Sequence, residues 1–295
     1  MASAVTPQVL EAVQQIKRMR GGSQSHLMRA SDGSFWVTKF KNNGQHFRVL
    51  ANEFLASRIG SYLGLPMPEV AVIEVCDWLI EHTAELRMEN AGHQVPCSSG
   101  LQLASRYVDD PENTIVCDYL PETILLGKTC NWKDLARCVV FDKWTGNTDG
   151  RQAIFAKPAN ARKFRLKLID QGHCFNCGQW DFPDLSLYGV YGRNFVYDHV
   201  TGWDSFEPVL SRAEEMDSDD LWQLALGMPE EWWNPKAAEQ ALYASPMPKE
   251  SWDKKFPSDL SRLIDTLYQR RSKIRDLITA FRNSTRNPFP HWAGN

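Results

Sequence analysis

Apolar and polar positions alternate with a period of two over Leu27–Ala30 and Ser34–Phe40, two runs joined by Ser31-Asp32-Gly33, and alternate again over Pro68–Leu79 and Gly100–Val108. That pattern predicts short strands through the first third of the chain. Between them, Arg48–Leu63 carries apolar residues at Val49, Leu50, Phe54, Ile59 and Leu63, the spacing of one helix face. Ala2–Arg20 reads as an amphipathic helix, expected over residues 5–19, and Glu81–Ser99 as polar loop. Asn131–Thr145 carries an apolar stripe. Asp259–Arg282 places Leu260, Leu263, Ile264, Leu267, Tyr268, Ile274, Leu277, Ile278 and Phe281 near helical period, with Arg262, Arg270, Arg271, Lys273 and Arg275 expected on a solvated face.

Among the helices, Ala153–Lys157 and Phe164–Ile169 are strand-like runs around the turn residues Pro158-Ala159-Asn160-Ala161. A hairpin there brings its two flanks together: Gly146-Asn147-Thr148-Asp149-Gly150-Arg151 and Ile169-Asp170-Gln171-Gly172. Asp149 and Asp170 should therefore meet at one end. Two such carboxylates suit metal-assisted phosphoryl transfer, in which one accepts the proton of the attacking hydroxyl and the other holds Mg²⁺ at the nucleotide phosphates. Taken singly, each motif is also ordinary turn chemistry; their pairing across one hairpin carries the argument.

Upstream, Gly21, Gly22, Ser23, Gln24 and Ser25 form a glycine-rich loop ahead of the first hairpin. The backbone N–H groups of such a loop can cradle phosphate oxygens. Val37-Thr38-Lys39-Phe40 then ends a strand with the lysine where a kinase strand presents its phosphate-binding amine. Glu53, in the early turns of the Arg48–Leu63 helix, is the carboxylate expected to hold it. Gly100–Val108 runs into an acidic turn at Asp109-Asp110-Pro111, and backbone groups of Arg106, Tyr107 and Val108 are candidate adenine contacts.

The order of glycine-rich hairpin, Val-Thr-Lys-Phe, Asn-Glu-Phe helix, Phe-Asp-Lys-Trp-Thr-Gly-Asn-Thr-Asp-Gly-Arg-Gln and Ile-Asp-Gln-Gly resembles the HipA-like kinases of bacteria. These are distant relatives of the eukaryotic protein kinase and phosphoinositide kinase folds. The resemblance runs from about Gly21 to the C-terminus and takes in Gly189–Asn194 and Arg286–Pro290. It implies a bilobal, kinase-like α+β fold that binds ATP with Mg²⁺ or Mn²⁺. By the same resemblance Lys39 contacts the phosphates, Asp149 is the acid–base residue, Asp170 is the metal ligand, and the Gly21–Ser25 loop covers the nucleotide. The expected division is a helix over residues 1–20, a small lobe over 21–107 and a large lobe over 108–295.

One position departs from that family's pattern. Five residues after the catalytic aspartate the family carries a metal-binding asparagine, and here Ile154 stands. Asn160 lies at the far end of the hairpin, roughly 15–20 Å away at about 3.3 Å per residue. Gln152 or Asn147, beside Asp149, is the candidate substitute oxygen, since Mg²⁺ also accepts water and phosphate ligands.

Composition narrows the class further. In 295 residues with 43% apolar content the chain can bury a sizeable core, and a formal charge of −3 gives no broad surface for nucleic acid. Seven scattered cysteines, no signal peptide and no apolar run of membrane-spanning length lead to the expectation of a cytoplasmic protein without a membrane partner. Cys174 and Cys177 have CxxC spacing but no second ligand pair, and are expected to pack behind Asp170. Trp203, Trp222, Trp232, Trp233 and Trp252 are expected to anchor irregular loops, Ser245–Pro248 among them. The expected acceptor is a protein serine or threonine, with a toxin-type kinase among the roles the resemblance implies. The alternatives are a small-molecule or lipid kinase and a nucleotide-binding pseudokinase.

Overall fold

The computed structural model describes residues 9–90, 92–234, 237 and 260–294. Its first part contains β1 (Val9–Arg18), β2 (His26–Ala30), β3 (Phe35–Lys39), α1 (Val49–Tyr62), β4 (Val70–Val75), α2 (Asp77–Glu81), β5 (Arg87–Asn90), β6 (His93–Pro96) and β7 (Gly100–Arg106). Five of these strands close a barrel in the order β1-β2-β3-β7-β4, and β5 pairs with β6 as a separate hairpin. Met28, Trp36, Phe40, Ile73, Leu86 and Met88 fill one core, capped by Leu79 of α2.

Residues 9–18 are therefore strand and not helix. β1 runs antiparallel to β2 and parallel to β4, with register shifts between Ala12 and Gln14 and between Gln15 and Lys17. Those irregularities erase the period-two signal that a regular strand would show. Val9, Val13 and Ile16, which are spaced as on one face of a helix, are 51%, 47% and 40% exposed, and Ala12 is the buried contact. The ladder bonds that close the barrel decide the conformation. The small lobe thus already includes Val9, rather than starting at Gly21 beneath a separate helix. Likewise Glu81–Ser99 is not all loop, since its polar residues face solvent on both strands of the β5–β6 hairpin.

The second part holds β8 (Thr114–Cys117), α3 (Glu122–Lys128), α4 (Asp134–Thr145), β9 (Gln152–Pro158), β10 (Arg165–Ile169), α5 (Val209–Glu215), α6 (Ser218–Ala225), α7 (Leu260–Arg270) and α8 (Ile274–Arg282). A three-stranded sheet in the order β10-β9-β8 lies on the helices. The architecture is bilobal α+β and kinase-like. A continuous core joins α1, α4, the hairpin and the C-terminal helices. Among the described residues no helix is long and apolar enough to cross a membrane.

The expected hairpin forms, and its register sets Gln152 opposite Ile169, Ala153 opposite Leu168, Ile154 opposite Lys167 and Phe155 opposite Leu166. Directly opposed residues share a face. Ala153, Phe155, Leu166 and Leu168 are buried in the large-lobe core, so Gln152, Ile154, Lys167 and Ile169 lie on the other face. The C-terminal run is two helices, interrupted by a single tight turn at Arg271–Lys273. Arg270 is not solvated as expected: it is 4% exposed, donates to the Lys143 and Trp144 carbonyls, and pairs with Asp184 at 2.6 Å. Trp232 is fully buried with its edge toward Phe54, and Trp203 packs edge-on against Trp292. Trp252 and Ser245–Pro248 lie outside the described residues.

Candidate active site

Lys39 ends β3 and points into the space between the lobes, 7% exposed. Its Nζ donates to Glu53 Oε2 at 2.5 Å and to Asp170 Oδ1 at 2.7 Å. Glu53 comes from the buried face of α1, and Asp170 from the residue after β10. Burial alone would lower the Lys39 amine, but the charges of Glu53 and Asp170 outweigh it and raise it above the ordinary lysine value. Burial would likewise raise the Asp170 carboxyl, yet Lys39 holds it below the ordinary carboxylate value, with smaller help from His173 and Arg151. The amine is thus cationic and Asp170 ionised at neutral pH.

Asp149 follows α4, whose C-terminus turns at Gly146 in the left-handed conformation (φ 60°). Asn147 shapes the loop: its amide donates to Asp142 Oδ1 at 2.9 Å and its oxygen accepts from the Asp149 N–H at 3.1 Å. With that oxygen engaged and the side chain 2% exposed, Asn147 is poorly placed to serve as the substitute metal ligand. The Asp149 carboxylate itself is exposed. Gln152 lies between the two aspartates, its Nε2 at 2.9 Å from Asp170 Oδ2 and 3.5 Å from Asp149 Oδ2. Two carboxylates and one amide therefore converge at the hairpin end. Among the described residues there is no cluster of three His, Cys, Asp or Glu able to hold a metal. The site instead offers hard oxygens for an ion that also draws on phosphate and water, which is how Mg²⁺ is commonly bound.

Arg151, Asp142 and Gln171 lie within the quoted motifs but were given no role there. Arg151 is fully buried; its Nε bonds Asp142 Oδ2 at 3.0 Å and its Nη2 bonds Asp142 Oδ1, while Nη1 reaches the Ile169 carbonyl at 3.0 Å and Gln171 Oε1 at 2.7 Å. This guanidinium ties the loop carrying Asp149 to both neighbours of Asp170. Such a dry bidentate pair is costly to break, because either partner alone would be an uncompensated buried charge. The available signal was Asp142, an acid followed by Lys143 between the large apolar residues Phe141 and Trp144. The motifs Gly189–Asn194 and Arg286–Pro290 also meet, through Arg286 Nε on Asn194 Oδ1 at 2.5 Å and Arg286 Nη2 on the Tyr191 carbonyl at 2.5 Å.

The remaining candidates divide. Gly21 and Gly22 are exposed, and a side chain at either would meet no atom within 4 Å. Gln24, in contrast, gives its side chain to the Glu89 backbone, at 2.8 Å to the carbonyl and 2.7 Å from the N–H. Gln24 therefore fastens the loop to β5. Ser23 and Ser25 face each other at 3.3 Å between the hydroxyls. At the end of β7 the Arg106 N–H is bonded to the Glu69 carbonyl and the Tyr107 N–H to the Phe35 carbonyl, so neither amide is available to adenine. Val108 is left as the candidate donor. Cys174 is fully buried beside the Thr145 hydroxyl.

A family model described as HipA-like kinase matches residues 12–247. No curated protein sequence matches the chain. Among solved structures the chain is similar to the Golgi casein kinase, at 11% identity over 95% of this chain and 74% of that one, TM-score 0.42. The same kinase with Mn/ADP bound gives 12% identity with the same coverage and TM-score 0.43. The Helicobacter pylori proinflammatory kinase CtkA gives 12% identity over 93% of this chain and 98% of that one, TM-score 0.43.

Proposed function

Because the chain belongs to the HipA-like kinase family, and is thereby a kinase-type phosphotransferase, we propose that it transfers the γ-phosphoryl group of ATP to a serine or threonine hydroxyl of a protein. The observation that carries this reading is the meeting of Lys39 with Glu53 and Asp170 on one side, and of Asp170 with Asp149 through Gln152 on the other. In this reading the Lys39 amine binds the phosphates and Glu53 fixes its direction. Exposed Asp149 orients the acceptor hydroxyl and takes its proton. Asp170 would hold Mg²⁺ or Mn²⁺, joined by Gln152 through its Oε1 once the amide, whose Nε2 faces both carboxylates, turns over; the ion when bound would neutralise charge developing on the transferred group. The Gly21–Ser25 loop closes over the phosphates through its backbone, and Val108 meets the adenine edge. The boundary between lobes falls near Tyr107. The seven free thiols suit a reducing compartment, the cytoplasm in this reading.

Ile154 favours a second reading, a nucleotide-binding protein without turnover, because it occupies the position of the family's second metal-binding residue. Incubation with γ-labelled ATP and Mg²⁺ or Mn²⁺ separates the two. Label transferred to protein hydroxyls supports the kinase, whereas nucleotide binding with no turnover supports the pseudokinase. For an active enzyme, Gln152→Ala is expected to raise the Mg²⁺ concentration for half-maximal activity several-fold, since a neutral oxygen ligand is lost while the Asp170 carboxylate remains. An unaltered Mg²⁺ titration would remove Gln152 from the metal site.

A further inference from the structure

Asn52 precedes Glu53 on α1, is fully buried, and has a role in none of the contacts described above. Its Nδ2 donates to two carbonyls, Gly172 at 2.9 Å and Cys177 at 2.6 Å, and its Oδ1 accepts from Trp180 Nε1 at 2.8 Å. Both amide protons and the oxygen are thus engaged by the segment that follows Asp170. One turn earlier on the same helix face, Arg48 stacks on the Trp180 ring at 4.3 Å and donates to the Gly178 carbonyl at 3.0 Å. The backbone approaches the helix closely as well. A side chain added at Gly172 would stand 2.7 Å from Val49 Cγ1, so the fourth residue of Ile-Asp-Gln-Gly must be small for this contact to form.

We infer that Asn52 is a positioning residue that fastens α1 to the 172–180 segment and so holds Glu53, Lys39 and Asp170 assembled by contacts of the unmodified chain. Lys39 alone connects Glu53 and Asp170 through flexible charged groups that a nucleotide would compete for. The Asn52 amide sets the same spacing from behind, two residues from Asp170, with neutral bonds that no ligand displaces. Fixing that distance matters because misplacement of a reacting group by about 1 Å can cost on the order of 10²-fold in rate. The inference rests on the reading of Lys39 and Asp170 as the phosphate and metal site.

Asn52→Asp tests it with almost no change in shape: the carboxylate still accepts from Trp180 but cannot donate to either carbonyl. The expected result, read with γ-labelled ATP, is a turnover rate lower by about 10-fold and a Mg²⁺ requirement higher by a similar factor, because the spacing of Asp170 is loosened. Amide hydrogen exchange should quicken by about 10-fold or more over residues 171–180 but not in α4 or β9. Trp180→Phe, which removes a single bond and keeps the stacked ring, should show the same pattern more weakly, and it decides the matter if Asn52→Asp does not fold. Unchanged exchange over 171–180 together with an unchanged Mg²⁺ requirement would overturn the inference. Wild-type protein that turns over no ATP would instead defeat the kinase reading, and exchange with calorimetric Mg·ATP affinity would still decide the role of Asn52.

Discussion

Asp149→Asn is expected to bind ATP close to normally while phosphoryl transfer falls by about 10²- to 10⁴-fold, the range of a positioned acid–base group. The substitution is nearly isosteric, and the loop is held mainly by Asn147, Asp142 and Arg151, whose bonds do not use the Asp149 carboxylate. The fold and the nucleotide site should therefore persist. Single-turnover transfer from labelled ATP, alongside calorimetric binding, is the check, and a mutant with normal turnover would rule Asp149 out as the base. Asp170→Asn should behave differently. Its carboxylate bonds both Lys39 and Gln152, so Mg²⁺-dependent nucleotide affinity should drop together with turnover.

Lys39→Met is expected to lower kcat/KM by on the order of 10²-fold or more, through loss of the positioned charge that stabilises the phosphates. Glu53→Ala should cost less. The amine keeps Asp170 at 2.7 Å, so removing Glu53 turns the lysine toward Asp170 rather than releasing it. The double variant should be little worse than Lys39→Met alone, because residues acting as one unit are not additive. Additive losses in the four-member kinetic comparison would show that Glu53 acts elsewhere.

The parts of this site that were legible beforehand are those written in short-range spacing. The β9–β10 hairpin follows from alternation and a Pro-Ala-Asn-Ala turn, and its register brings Gln152 opposite Ile169, which fixes where Asp149 and Asp170 come together. α1 was legible because a long run of apolar residues, Val49, Leu50, Phe54, Leu55 and Ile59 among them, is buried along it, which places Glu53 inside a helix. Misreadings arose where the local pattern pointed away from the contact that governs. β1 keeps Val9, Val13 and Ile16 outside and is irregular in register, so its sequence imitates a helix stripe. Arg270 sits among cations on its helix but is neutralised by Asp184 and two carbonyls far away in the chain.

The sequence by itself determined the strands and helices with regular periodicity, the two acidic motifs at the ends of one hairpin, the lysine strand and the family resemblance. Each is encoded within a few dozen residues, where side-chain period and turn chemistry act locally. Only the tertiary structure decided that β1 closes a barrel, that Arg151 bridges Asp142 to Gln171, that Gln24 serves β5, and that Asn52 grips the chain beyond Asp170. Those bonds join groups as far apart as 65 and 125 residues. Buried donors and acceptors must find partners wherever the fold brings them, and a polar residue in an apolar stripe announces that need without naming the partner.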